Sequence, residues 1–181
     1  MYLKLSHHNN NNMSKKQVSS KQLKDLFYTQ IIDHVEGISS LSLTSNIESV
    51  LLEQSKKSLG NKCSKYGYIM EDTIRILQRS IGKIKSSHFD GTVVYNLKLE
   101  VTVCNPAEGD IIECVVVGKN KMGILAKQHP LIIALSQLHH NDLSIFSNIN
   151  VNQTIYVSVV DSKFSLNDKN IQVIGKIYNL T

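Results

Sequence analysis

The sequence predicts an α+β N-terminal half, with one helix laid on an antiparallel sheet, followed by an all-β barrel. Three observations carry that expectation. From Thr92 to Cys104 every second residue, Val93 through Val103, is apolar, the period-2 pattern of a half-buried strand. A helix signature with its own start and stop residues lies upstream, from about residue 45 to 60. Beyond Asp110 the chain holds several short strand-like segments separated by polar turns.

The chain opens with a segment unsuited to a core. Residues 1 to 24 pass from His7-His8 through four asparagines into Ser- and Lys-rich sequence. So little apolar surface cannot offset the entropy of ordering, and a disordered tail is expected. The tail carries Lys4, Lys15, Lys16, Lys21 and Lys24 and no acid, while the whole chain has 20 basic and 15 acidic residues and a net charge of +5. The excess therefore sits entirely in the tail, and the remaining body is neutral. Nucleic-acid contact by the body must come from local patches, because no overall field would supply it.

Leu26 to Val35 reads as a strand, with Phe27, Ile31 and Val35 on one face and Leu26, Tyr28 and Ile32 on the other. Ser45 and Glu48 have the spacing of a capping box. Ile47, Val50, Leu51 and Leu59 then form an apolar stripe, Lys56 and Lys57 occupy the last turn, and Gly60 stands at the C′ position. Short β segments follow at Tyr66–Met70, Thr73–Leu77 and Ser80–Ile84. In the long strand Val93, Tyr95, Leu97, Leu99, Val101 and Val103 form the apolar face, which is expected to pack on the helix. The pattern breaks at Asn105-Pro106-Ala107-Glu108-Gly109-Asp110 and resumes at Ile111, so the two halves join without a flexible linker.

The barrel strands are expected at Ile111–Val117, Met122–Lys127, Leu131–Leu135, Thr154–Val160 and Ile171–Ile177. Gly118-Lys119-Asn120-Lys121 turns the first hairpin, residues 165–170 turn the last, and a long polar connection spans Ser136 to Gln153. Five strands with that one long connection match an oligonucleotide/oligosaccharide-binding (OB) barrel.

Little in the sequence suggests autonomous chemistry. Cys63, Cys104 and Cys114 fit neither a disulfide framework nor a metal spacing, and read as two small hydrophobes in strands and one thiol in a turn. Asp25, Asp33, His34 and Glu36 do not converge, since neighbours in a strand point to opposite faces. His139-His140-Asn141-Asp142, like His7-His8, offers an incomplete metal site. No nucleophile with an identifiable base and no Gly-rich phosphate loop occurs, so no metal or cofactor is expected. No apolar run approaches the ~20 residues of a membrane span, and no secretory leader pattern is present. An intracellular protein is expected.

OB barrels hold single strands with an exposed aromatic platform and flanking cations. Lys119, Lys121, Lys127 and Lys163 supply the cations, Phe164, Tyr156 and His129 are the candidates for the platform, and Met122 in the turn is a further candidate RNA contact. After Met122-Gly123 the chain has Ile124-Leu125 where many such barrels carry Phe.

The order of short motifs resembles a known family. It runs from the capped helix through Cys63-Ser64-Lys65-Tyr66-Gly67-Tyr68-Ile69 and an Ile-Gly-x-Ile element at Ile81 to Ile84. It continues with Tyr95-Asn96-Leu97-Lys98-Leu99-Glu100-Val101, Pro106-x-x-Gly109-Asp110 and Val115-Val116-Val117-x-Lys119-x-Lys121-Met122-Gly123. The ending, from Ile155-Tyr156-Val157 to Ile174-Gly175-Lys176-Ile177, also fits. This pattern is similar to the stalk subunit of multisubunit DNA-directed RNA polymerases, the seventh-largest subunit of the eukaryotic messenger-RNA polymerase and its archaeal counterpart. The resemblance covers about Leu26 to Leu180.

Beyond the disordered tail (1–24), which is not part of the family pattern, the resemblance implies a polymerase-docking tip domain (25–105) and a barrel of the ribosomal-protein S-one type (106–181). The large polymerase subunits, nascent single-stranded RNA and a second small stalk subunit would be the partners. The family's plug into the polymerase core carries over to Leu77, Gln78, Arg79, Ser80, Ile81 and Gly82, with Ile84 where a second glycine is often found. The Asn-rich tail and heavy Asn and Ile usage suggest an AT-biased genome, and large cytoplasmic DNA viruses encode subunits of this kind. Two other functions compete with this reading: a free-standing RNA-binding barrel protein acting in translation or RNA decay, and an enzyme using the loop histidines.

Overall fold

The computed structural model describes residues 26–84, 91–137, 146 and 148–178. The Asn- and Lys-rich tail, Asp25 and the His139–Asp142 group lie outside the described residues. The chain is mostly β. A six-stranded sheet with one α-helix beside it comes first, and a closed five-stranded barrel follows.

Alternating sequence produces the longest elements. Strand β1 (Phe27–Ser39) pairs antiparallel with β6 (Thr92–Cys104) over its full length, from Phe27 opposite Cys104 to Ser39 opposite Thr92. The expected bounds of β6 match the observed ones, whereas β1 runs beyond Val35 to Ser39. All six apolar residues on the inner face of β6 are buried, in one cluster with Ile32 and Ile38 of β1 and Leu51 of the helix. Burying a Val or Leu side chain is worth about 1.5–3 kcal/mol, so this stripe dominates the first core. Ile31 and Val35 lie on the outer face, exposed.

Helix α1 (Ile47–Leu59) differs from expectation at both ends. Its N-cap is Asn46, whose side-chain carbonyl accepts from the Ser49 N–H at 3.4 Å, while the Ser49 hydroxyl returns a bond to the Asn46 carbonyl at 2.9 Å. Ser45 and Glu48 do not form the box: with Asn46 as the cap Glu48 is only the second helical residue, and it meets Arg79 at 3.4 Å. At the C-terminus Gly60 has an ordinary φ of −66°, and the left-handed residue is Asn61 at φ 54°. Gly60 is needed for space: a Cβ there would come 2.5 Å from the Lys56 carbonyl oxygen.

Short strands complete this sheet. Strand β2 (Lys62–Ser64), which the sequence pattern does not announce, forms a hairpin with β3 (Gly67–Ile69) and so places Cys63 in a strand, not a turn. Strands β4 (Arg75–Arg79) and β5 (Lys83–Ile84) follow β3 along the same edge of β6.

The barrel comprises β7 (Ile111–Asn120), β8 (Gly123–Gln128), β9 (Leu131–Ser136), β10 (Thr154–Lys163) and β11 (Ile171–Ile177). Its order is β7-β8-β9-β11-β10 and back to β7, with β9 and β11 parallel and the other pairs antiparallel. This closure is consistent with an OB-like barrel. The first hairpin turns two residues later than expected, at Lys121-Met122, because the Asn120 side chain accepts the Met122 and Gly123 N–H groups at 2.9 Å. The connection expected to be polar also contributes to the core, since Phe146 and Ile149 are buried inside the barrel.

The barrel core does not stop at the barrel. Cys63, Tyr68 and Cys104 belong to its buried cluster, with Leu26, Phe27 and Met70 packed against it. Backbone bonds join the halves too: the Cys63 N–H donates to the Asp168 carbonyl and the Asn167 N–H to the Cys63 carbonyl, both at 2.8 Å.

Candidate nucleic-acid interface

The segment Leu77–Gly82 sits where β4 leaves the sheet. Register slips between Ile76 and Gln78 along β6, making Leu77 the extra residue of a bulge and turning it out to solvent, 52% exposed. Gln78 then stands opposite Lys98, and Arg79 reaches Glu48 at 3.4 Å. Ser80 anchors the exit: its N–H donates to the Asn96 carbonyl at 2.9 Å, and its hydroxyl oxygen accepts the Asn96 N–H at 3.0 Å. Gly82 lies so close to Tyr95 that a Cβ would sit 2.8 Å from the ring. Beside it Ile81 projects outward and is 82% exposed. Leu77 and Ile81 thus project from the edge of the sheet on either side of the bonded Ser80.

The barrel candidates fall into two groups at opposite ends. Strand register puts the β7–β8 turn at the end away from the six-stranded sheet, where Lys121 and Met122 form the turn and Met122 is 80% exposed. Lys119 is tied there, its ammonium donating to the Ile149 carbonyl at 3.0 Å. Lys119 and Met122, but not Lys121, rim an open groove of about 550 Å³ with Leu125, Ala134 and Ser136. The groove wall is aliphatic and lacks an aromatic ring.

His129, Lys163 and Phe164 lie at the other end, beside the six-stranded sheet. Phe164 is half-buried against the barrel core. Lys127 stands between the two ends on the outer face of β8, opposite Val115 and Ile132. His129 meets Tyr68 edge-on, with ring centroids 5.6 Å apart and the phenol oxygen 3.2 Å from Nε2. Burial raises the Tyr68 phenol pKa above its ordinary value.

Around His129 the two halves enclose a second groove of about 630 Å³, which also takes in Lys62, Lys169 and Asn170. Of these residues the sequence pattern points only to His129. Lys62 and Lys169 come from different halves, and the backbone bonds of Cys63 to Asp168 and Asn167 bring them together.

The Asp33, His34 and Glu36 group resolves as expected in part. Asp33 faces out, whereas His34 and Glu36 share the inner side at 2.9 Å, and the Ser58 hydroxyl donates to Glu36 at 3.0 Å. Among the described residues no group of three or more His, Cys, Asp or Glu side chains could hold a metal ion. No described helix is long and apolar enough to cross a membrane.

Comparison with known proteins agrees with the polymerase resemblance. No protein-family model matches the chain. A protein of Acanthamoeba polyphaga mimivirus named "Putative DNA-directed RNA polymerase subunit" is 29% identical over 166 residues, covering 85% of this chain and 82% of its own. An uncharacterized protein of Methanocaldococcus jannaschii aligns with 42% of this chain and 99% of its own, at 19% identity and a TM-score of 0.35, too low to establish a shared fold. The chain is a homologue of a large-DNA-virus protein named as an RNA polymerase subunit, the class of protein its motifs resemble.

Proposed function

We propose that this chain is a non-catalytic stalk subunit of a DNA-dependent RNA polymerase. Residues 25–105 act as the docking domain and meet the large subunits through Leu77, Gln78, Arg79, Ser80, Ile81 and Gly82. Residues 106–181 act as the S-one-type barrel, which contacts nascent RNA beside its exit path during transcription. The observation that carries this reading is the extent of the viral similarity, which reaches 85% of the chain and is too long to fit within either half alone. A relative sharing only a barrel would match far less. The exposed Leu77 and Ile81 support the docking role, because apolar side chains projecting from a sheet edge are a liability unless a partner covers them.

The test is affinity purification from the native source, using tagged wild type and a Leu77→Glu, Ile81→Glu double variant. Both side chains are exposed, so the variant should keep the wild-type melting temperature. Wild type should carry the large polymerase subunits with it and the variant should carry several-fold less. Recovery of wild type without large subunits would remove the stalk reading. Equal recovery with both would remove the docking assignment alone.

A further inference from the structure

We infer that single-stranded RNA is gripped at the junction of the two halves, in the groove around His129, and not at the far turn of the barrel. This rests on the RNA-binding part of the function proposed above and assigns it a place. The groove is lined by Asn61, Lys62, Tyr68, His129, Asn167, Lys169 and Asn170. These bring two ammonium groups, an imidazole, a phenol and three carboxamides to one wall, and no carboxylate lines it. The body as a whole carries balanced charge, so a concave surface holding cations without acids is the kind of local patch that phosphate binding requires.

Two carboxylates stand beside the groove, each bonded to a neutral N–H donor. Glu71 accepts from the Asn61 carboxamide at 2.8 Å, and Asp168 accepts the Ser165 N–H at 2.7 Å. Lys62 uses one of its three donors on the Lys57 carbonyl at 2.9 Å, which fixes the ammonium in place and leaves the others to reach a ligand. At about 630 Å³ the groove falls within the roughly 300–1,000 Å³ of small-ligand sites, large enough for a nucleotide unit and not only a phosphate. Carboxamides both donate and accept, as do the base edges that single-stranded RNA exposes.

The groove is also preformed. Its floor is fastened by the Cys63–Asp168 and Asn167–Cys63 backbone bonds, and Asn61 and Asn167 hold left-handed backbone at φ 54° and 68°. A rigid site binds without spending free energy on ordering itself. The far groove compares poorly. Its wall is Met122, Leu125, Ala134 and other aliphatic groups, and a single lysine, Lys119, lines it.

The test uses the full chain and a fluorescent oligouridylate of about 15 nucleotides, a length within the usual site size of a single-strand-binding barrel, with 4-thiouridine at its centre. Binding is followed by anisotropy against salt, and crosslinks are mapped by mass spectrometry. The Lys62→Ala, Lys169→Ala variant should bind roughly fivefold to tenfold more weakly, with a log–log salt slope smaller by about 1.4 for two lost phosphate contacts. Crosslinks should fall in residues 60–68, 129 and 167–170. Wild-type affinity and slope in that variant, with crosslinks at Lys119–Met122 or in the first 24 residues, would overturn the groove and leave RNA contact standing. Absence of RNA binding by the wild-type chain would remove the groove and the RNA role together, while polymerase co-purification would judge the docking role independently.

Discussion

At the scale of single residues, burial governs the chemistry of the thiols. Cys63, Cys104 and Cys114 are all free and buried, and exclusion of water raises their pKa values to about 11, about 12 and about 12. An unfolded-chain thiol titrates near roughly 8.5. Above that pH the unfolded chain has released thiol protons that the folded chain still holds, so the unfolded state binds fewer protons and stability falls as pH rises. The loss begins near pH 9 and continues until the folded thiols themselves ionise. Melting temperature should therefore decline from pH 8.5 to 10.5, and less so in a Cys104→Ala, Cys114→Ala variant once each is compared with its own value at pH 7.5. At pH 8 the native chain should react with iodoacetamide far more slowly than the chain in urea. Rapid alkylation of the native state would mean that these thiols see water. Gly67 shows the same close fit. It holds a φ of +121°, and a Cβ there would stand 2.5 Å from the Cys104 carbonyl oxygen, which explains why the Lys-Tyr-Gly motif ends on glycine.

At the scale of elements, legibility follows the strength of the periodic signal. Strand β6 is readable residue by residue, because thirteen alternating positions leave no second register that buries the same face. The strand bounds of the barrel emerge to within a few residues for the same reason. Turns and caps are less legible. Asn46, Ser45 and Ser49 can each cap a helix, and the choice depends on which carbonyl meets which N–H, a matter of geometry and not composition. Strand β2 escapes notice because three residues with one apolar side chain make no pattern, and its partner β3 and the barrel loop define it. Phe146 and Ile149 are hidden inside a polar stretch, where spacing cannot show that a connection folds back into a barrel. The groove around His129 is illegible for a related reason: it exists only where two halves meet. The cap assignment makes a direct prediction. Asn46→Ala should lower stability by about 1 kcal/mol, while Ser45→Ala should be nearly neutral. Urea titration of both variants distinguishes the two caps, and a larger loss from Ser45→Ala would reinstate the capping box.

At the scale of the whole molecule, the two halves behave as one body in their packing. Fold rules treat a sheet with a helix and a barrel as separate domains, and polar, modest interfaces are the usual junction between such units. Here the junction is made of core. Tyr68 and Cys104 of the sheet are buried among barrel residues, Met70 and Phe27 pack against them, and two backbone hydrogen bonds tie β2 to the β10–β11 loop. Strand β6 contributes to both cores, with Val103 in one cluster and Cys104 in the other. Opening the barrel alone would expose Tyr68, Cys63 and Cys104, and a large aromatic side chain brought from core to water costs several kcal/mol. The two halves should consequently melt in a single transition, with calorimetric and van't Hoff enthalpies agreeing as two-state unfolding requires. Tyr68→Ala removes the shared side chain and the His129 contact while sparing the inner face of β6. It should split the single transition into two, or broaden it until the enthalpies disagree. Two separate transitions in the wild type would show that the halves are hinged, and a stalk built from them could then transmit no fixed orientation from the proposed docking edge to the proposed RNA groove.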